Sequence, residues 1–382
     1  METTGYIPRH SGRHAAVPPG RHAKMMVSVI AAIIMISAGV AIAAAASSGL
    51  APRACPGAGA VGDCASAPAS PSTLAGKTPV AQVLSSPNYG LHGPSAAAVS
   101  GGRLWVANVL GNSVTELSAN SGAHLRTLGS AAYAFRGPNA IAVDGDHVWV
   151  ANVPGNSVTE VSARNGRRER SLSYGYGFSS PYALALSGSR LWVANAGGNS
   201  VTEIDAATGR RIAVISGHRY GLDNPYAVAV AGGRLWVANA GGRSVTEISV
   251  RTGAWIATLS AGYGLDDPAA LAVAGTSLWV ASEAGNAVTE ISTTTGRLTR
   301  TLSGRRYGFD NPAALTVSAG RLWVANSLGD SVTEIAPGTG ALLGTLSGHR
   351  YGFSNPTGLA AAGRDVWVTN LGSNSVTQLR VG

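Results

Sequence analysis

The chain has 382 residues, 45% of them apolar and 12% charged, with 51 glycines and a formal net charge of +9. So little charge excludes a disordered polyelectrolyte, and so much glycine argues against a helical bundle. The densest basic cluster, Arg164, Arg167, Arg168 and Arg170, is broken by Glu169 and lacks interleaved aromatics, so no nucleic-acid partner is expected.

Residues 1–24 form a polar, basic N-terminus with Arg9, Arg13, Arg21 and Lys24. Residues 25–46 carry no charge. At ~1.5 Å per residue this stretch reaches about 33 Å, enough to cross a hydrocarbon core of about 30 Å as one transmembrane helix. The basic residues ahead of it predict a cytoplasmic N-terminus, single-pass insertion in a bacterial cell membrane, and an exported remainder. Ala44 and Ala46 also form an A-x-A-like cleavage site, so two fates stay open: an uncleaved signal anchor, or a signal peptide whose removal gives a secreted protein.

Residues 47–78, rich in Ala, Pro, Ser and Gly, read as a mobile tether. Cys55 and Cys64 lie in it and either close a small disulfide loop outside the cytoplasm or remain free thiols. Gly57, Gly59 and Gly62 spell G-x-G-x-x-G, but no strand precedes and no helix follows, so no dinucleotide site is expected.

From residue 79 to 382 the chain repeats. Trp105, Trp149, Trp192, Trp236, Trp279, Trp323 and Trp367 recur at intervals of 43 or 44 residues, and Pro94, Pro138, Pro181, Pro225, Pro268, Pro312 and Pro356 keep the same step. Each unit divides into four short apolar runs, such as YAVAV, RLWVAN, SVTEIS and WIATLS, separated by glycine-rich turns. Seven such units predict an all-β, seven-bladed β-propeller with four-stranded blades. The segment at 80–85 matches a fourth strand and the chain ends on a third, so an N-terminal strand is expected to join and close the last blade. A monomeric ring is expected.

Trp367-Val-Thr-Asn370 followed by Asn374-Ser-Val-Thr377, with WVAN…GNSVTEI in earlier units, resembles the repeat of the YVTN and NHL families of bacterial propellers. The resemblance covers about 300 residues and implies the fold. For function it implies a range that includes surface-exposed proteins, sensor domains and enzymes of the virginiamycin B lyase type.

Residues present in every unit read as architecture. The seven tryptophans are expected to fill the space between blades. The asparagines ending the second strand should shape a turn through local backbone bonds, and the third-strand glutamates, with Gln378 in the seventh place, should pair with a neighbouring blade.

What differs between units points to a site. Asp223, Asp266, Asp267 and Asp310 precede the opening prolines of blades four to six, and Glu283 follows the WVAS of blade five where other units carry Val, Ala, Ser or Leu. Five carboxylates in one sector of the long-loop face suit Ca²⁺, Mg²⁺ or a cationic ligand; the alternative is that Asp before Pro only caps a turn. No motif demands a cofactor, and no zinc-type Cys/His spacing or nucleophile elbow is present. His218 and His349 share one loop position and read as loop packing, while Trp255 on an outer strand is a candidate contact residue. These readings describe a membrane-tethered, extracytoplasmic binding module that offers its long-loop face to a protein, glycan or small ligand without catalysis. The alternatives are a divalent-metal-dependent lyase or hydrolase, or a structural cell-surface protein.

Overall fold

The computed structural model describes residues 78–85, 87–129 and 131–381. The apolar stretch 25–46, the tether up to residue 77, Cys55 and Cys64 lie outside the described residues. Among those described, no helix is long and apolar enough to cross a membrane.

Seven antiparallel sheets of four strands follow one another along the chain. In the fourth, the strands are Pro225–Ala231, Arg234–Asn239, Ser244–Ser249 and Trp255–Leu259, from inside to outside. The inner strands of successive sheets touch one another, and Pro356–Ala362 of the seventh touches Pro94–Ser100 of the first, so the sheets stand as blades around an axis. Val80–Leu84 lies antiparallel beside Ser375–Arg380, with Val80 opposite Arg380 and Leu84 opposite Val376, as the outermost strand of the seventh sheet.

Blade stacking explains the sequence of the strands. The second and third strands of each blade are buried on both faces, so RLWVAN and SVTEIS lack the polar alternation of a half-exposed strand. Only the outer strands alternate with solvent. The hairpin between the first two strands of blade four turns through Gly232 and Gly233 at φ 60° and 71°, a left-handed pair that glycine adopts without strain.

The seven tryptophans are fully buried, each against the next blade. Trp149 shares a core with Leu191 and Val193, Trp236 with Leu271 and Val280, and Trp367 with Leu104 and Val106. Truncating a ring of this kind costs on the order of 3–5 kcal/mol.

Two architectural expectations are corrected. The third-strand glutamates pair within their own blade, because the register sets Trp105 opposite Glu116 and leaves the residue two before the tryptophan diagonal to the acid on the same face. Arg103 and Arg126 hold Glu116, Arg234 holds Glu247, and Arg321 holds Glu334. The arginine makes the connection to the next blade: Arg234 also donates to the carbonyl of Thr294 at 3.0 Å. In blade seven Gln378 replaces the acid, and Asp365, in the arginine's place, pairs with Arg380 at 2.8 Å.

The asparagines, too, bond chiefly to side chains. Asn239 donates to Ser244 Oγ at 3.1 Å and Thr246 Oγ1 at 2.9 Å, and Thr246 donates onward to the carbonyl of Tyr220 in the incoming loop at 2.9 Å. Strands two and three are thereby fastened to the connection that enters the blade.

Candidate functional site

The loop between strands two and three bonds to the residue just before the opening proline of its own blade. The amide of Ala240 donates to the carbonyl of Asn224 at 3.0 Å, and that of Glu283 to the carbonyl of Asp267 at 2.9 Å. Both sets of longer loops therefore share one face. The residue before proline is left-handed: Asn224 has φ 52°, Asp267 59°, Asn311 56° and Asn355 50°. Asn and Asp tolerate this conformation better than other side-chain-bearing residues, which is why the repeat places them there.

Immediately after the proline, the register between strands one and two shifts by a residue. The bulged residue differs from blade to blade: Ser95, Asn139, Tyr182, Tyr226, Ala269, Ala313 and Thr357, every one buried or nearly so. Neighbours in this set meet around the axis. Thr357 donates to the carbonyl of Ser95 at 3.3 Å, Ser95 to that of Pro138 at 3.2 Å, and Ala269 packs on Ala313. Tyr182 and Tyr226 stack with ring centroids 4.2 Å apart. The bulges thus line the mouth of the channel with aromatic rings on one side and small side chains on the other.

The five acids marked in the sequence divide into two groups. Asp223, Asp266 and Asp310 occupy one equivalent position in three successive blades, each lying over a loop glycine of its own blade: Gly242, Gly285 and Gly329. Asp223 and Asp310 are exposed. Asp223 also lines a cleft of about 460 Å³ between blades three and four, with Asn199, His218 and Leu222. Asp266 lies 3.2 Å from Arg243. Asp267 and Glu283 are the pair that the fold brings together at the mouth.

Glu283 is 5% exposed, and its Oε1 accepts no hydrogen bond. Burial, and after it the charge of the Asp267 carboxylate, push its carboxyl up to about 8, against a hydrogen bond with Asn311 that opposes the rise. Asp267 is itself raised, first by burial and then by Asp266, against the pull of Arg243. The Tyr226 phenol is pushed up to about 12 by burial and by the charges of Asp267 and Glu283. The mouth is therefore a half-dry site short of positive charge and rich in acceptors.

Tyr182, Tyr226 and Asn311 were absent from the sequence-derived site. The signal for the tyrosines was NPY or SPY in blades three and four against NPA or DPA in blades five and six.

A metal centre of histidine and glutamate, as a lyase of the family named above would imply, does not fit this mouth. His218 and His349 sit in short 3₁₀ turns, and the turn at His218–Tyr220 packs against the outer strand Trp255–Leu259. Among the described residues, the one group of three acid or histidine side chains with ligand atoms within 4.8 Å of one another lies in blade two.

No family model and no curated protein matches the chain. Solved structures of similar shape include a streptogramin B lyase (TM-score 0.67, 15% identity, 80% of this chain and 98% of that one). They also include virginiamycin B lyase from Staphylococcus aureus (0.67, 16%, 78% and 98%) and the WD40 repeats of RRP9 (0.65, 12%, 80% and 99%). At these identities the likeness shows the seven-bladed propeller and nothing finer.

Proposed function

We propose that this propeller is a binding module, tethered to a membrane by its N-terminal apolar stretch and displayed outside the cytoplasm. It receives a protonated amine or guanidinium, carried by a protein or a small ligand, at the channel mouth of blades four to six. The observation that carries the reading is the orphaned Oε1 of buried Glu283 beside Asp267. A cation supplies the missing donor and lets Glu283 ionise, while the Tyr182–Tyr226 pair offers an aromatic wall. Leu110 and Leu328, 58% and 65% exposed on strand-two-to-three loops of the same face, offer apolar contacts to a protein surface.

The test is calorimetric titration of the full chain at pH 7.5 with lysinamide, argininamide and spermidine, and with glucose as the uncharged probe. Saturable binding of a cationic probe with proton release is expected, together with its loss in Glu283→Gln and Asp267→Asn. Equal binding by Glu283→Gln, or none by any cation, overturns the reading.

A second reading, a lyase, is favoured by the solved lyases of like shape and by a carboxyl whose proton is held to about 8. Turnover of a streptogramin B, followed by mass spectrometry and abolished in Glu283→Gln, would establish it.

A further inference from the structure

In blades one, three, four and six, the residue that opens the second strand is an arginine paired with the buried third-strand glutamate: Arg103, Arg190, Arg234 and Arg321. Blade two places His147 there. A second departure lies in the same blade. Between the third and fourth strands the register of each blade one to six slips by one residue, and the bulged residue is Leu125, Ile212, Ile256, Thr299 or Leu343 elsewhere but Glu169 in blade two. The bulge turns this acid out of the outer strand's alternation.

The two departures converge on the repeat's own glutamate. His147 Nδ1 stands 2.7 Å from Glu160 Oε1 and 3.4 Å from Glu169 Oε2, and the three ligand atoms all lie within 4.8 Å of one another. Glu160 is fully buried, yet neither of its oxygens accepts an aligned hydrogen bond, and His147 Nδ1 is also without one. Arg170 lies 2.5 Å from Glu160 Oε2 and leaves Oε1 on the side of His147.

We infer that the outer part of blade two is a binding site for a divalent transition ion, held by His147 Nδ1, Glu160 Oε1 and Glu169 Oε2. One imidazole and two carboxylates suit Zn²⁺ better than Ca²⁺, which takes six or more oxygens. Bond lengths of about 2.0–2.2 Å set ligand atoms roughly 3.0–3.5 Å apart, so the observed spacings need only a small side-chain adjustment. The side chains of His147 and Glu169 are 44% and 34% exposed, which gives the ion a path in and a fourth position for water. Three adjacent strands would be joined through the ion, and the site is separate from the channel mouth.

The test uses the full chain, purified in detergent without a polyhistidine tag, stripped with chelator and titrated with Co²⁺ and then Zn²⁺ at pH 7.5. One equivalent of Co²⁺ with d–d absorption, displaced by Zn²⁺, and a rise in melting temperature are expected. His147→Arg restores the pair that four other blades already fold with, so it should keep the fold while weakening binding by at least about tenfold. Glu169→Gln should weaken it similarly, and Glu283→Gln should leave it unchanged. Absence of stoichiometric binding overturns the assignment, as does binding that survives both His147→Arg and Glu169→Gln. Loss confined to Glu283→Gln places the ion at the channel mouth and also overturns it.

Discussion

The amide of Glu283 donates to the carbonyl of Asp267 at 2.9 Å, so one short loop contact holds two carboxyl groups of blade five together at the channel mouth. Burial and the Asp267 charge then decide how Glu283 titrates. Its folded value of about 8 lies above the ordinary carboxylate range, so between about 4.5 and 8 the folded protein holds a proton that the unfolded chain has released.

Stability should therefore be highest at the acidic end of that window and fall as pH rises to about 8, then level off. A thermal melt series from pH 5 to 9 is expected to show a loss of several degrees, and Glu283→Gln should flatten it. An unchanged slope in the variant would show that Glu283 does not carry the proton.

Asp267 should tolerate asparagine and resist alanine. Its φ of 59° is the conformation that Asn224, Asn311 and Asn355 adopt at the same place in their blades. Asp267→Asn should be near neutral for folding and lower the Glu283 value by removing a like charge, whereas Asp267→Ala should cost about 1 kcal/mol of backbone strain. Urea unfolding of both variants checks the ranking; equal stability would mean that the turn does not constrain this residue.

The ring of blades was legible because each repeats the same tryptophan, the same proline and the same glycine turns, and a repeated pattern needs no knowledge of long-range pairing. Glu283 stood out because it follows WVAS, which replaces the repeated WVAN, and puts an acid where the other blades carry Val, Ala, Ser or Leu. The tyrosine pair did not, since Tyr182 and Tyr226 reach the mouth only through a register shift after the proline, and a bulge leaves no mark in apolar periodicity. The glutamate pairing was assigned to the wrong partner for a related reason. A diagonal contact between Arg234 and Glu247 depends on the register of the strands, which the residue types alone do not set. Asp223, Asp266 and Asp310 were close in sequence pattern but stand one per blade.

Restoring the repeat at Arg243 should stabilise the ring. At six blade joints an asparagine or aspartate of one blade accepts from the amide of the pre-proline residue of the next, as Asn199 does from Asn224 at 2.8 Å and Asp330 from Asn355 at 2.7 Å. At the seventh joint the equivalent residue is Arg243, which has no acceptor and meets Asp266 through charge instead. Arg243→Asn should add about 1 kcal/mol, the net value of one hydrogen bond, offset by the small loss of a largely exposed ion pair. A raised urea midpoint at unchanged slope is the expected outcome, and a lowered one would show that the Arg243–Asp266 contact matters more than the clamp.

The seventh blade meets the first through their inner strands. Gly358 lies on the inner strand at the place where the other blades carry Ala96, Ala140, Ala183, Ala227, Ala270 and Ala314. A Cβ on Gly358 would stand 2.5 Å from Thr369 Oγ1 and 2.8 Å from the carbonyl of Ser95, and that carbonyl already accepts from Thr357 at 3.3 Å and Thr369 at 3.4 Å. One methyl would therefore have to push apart backbone and hydroxyls that fasten the first blade to the last. Gly358→Ala should cost about 1–3 kcal/mol, although alanine is the residue of every other blade. The check is the urea midpoint of Gly358→Ala against that of Ala314→Gly, which removes a methyl at an ordinary joint. If Gly358→Ala proves the milder of the two, the first and seventh blades are not held as closely as their hydrogen bonds require.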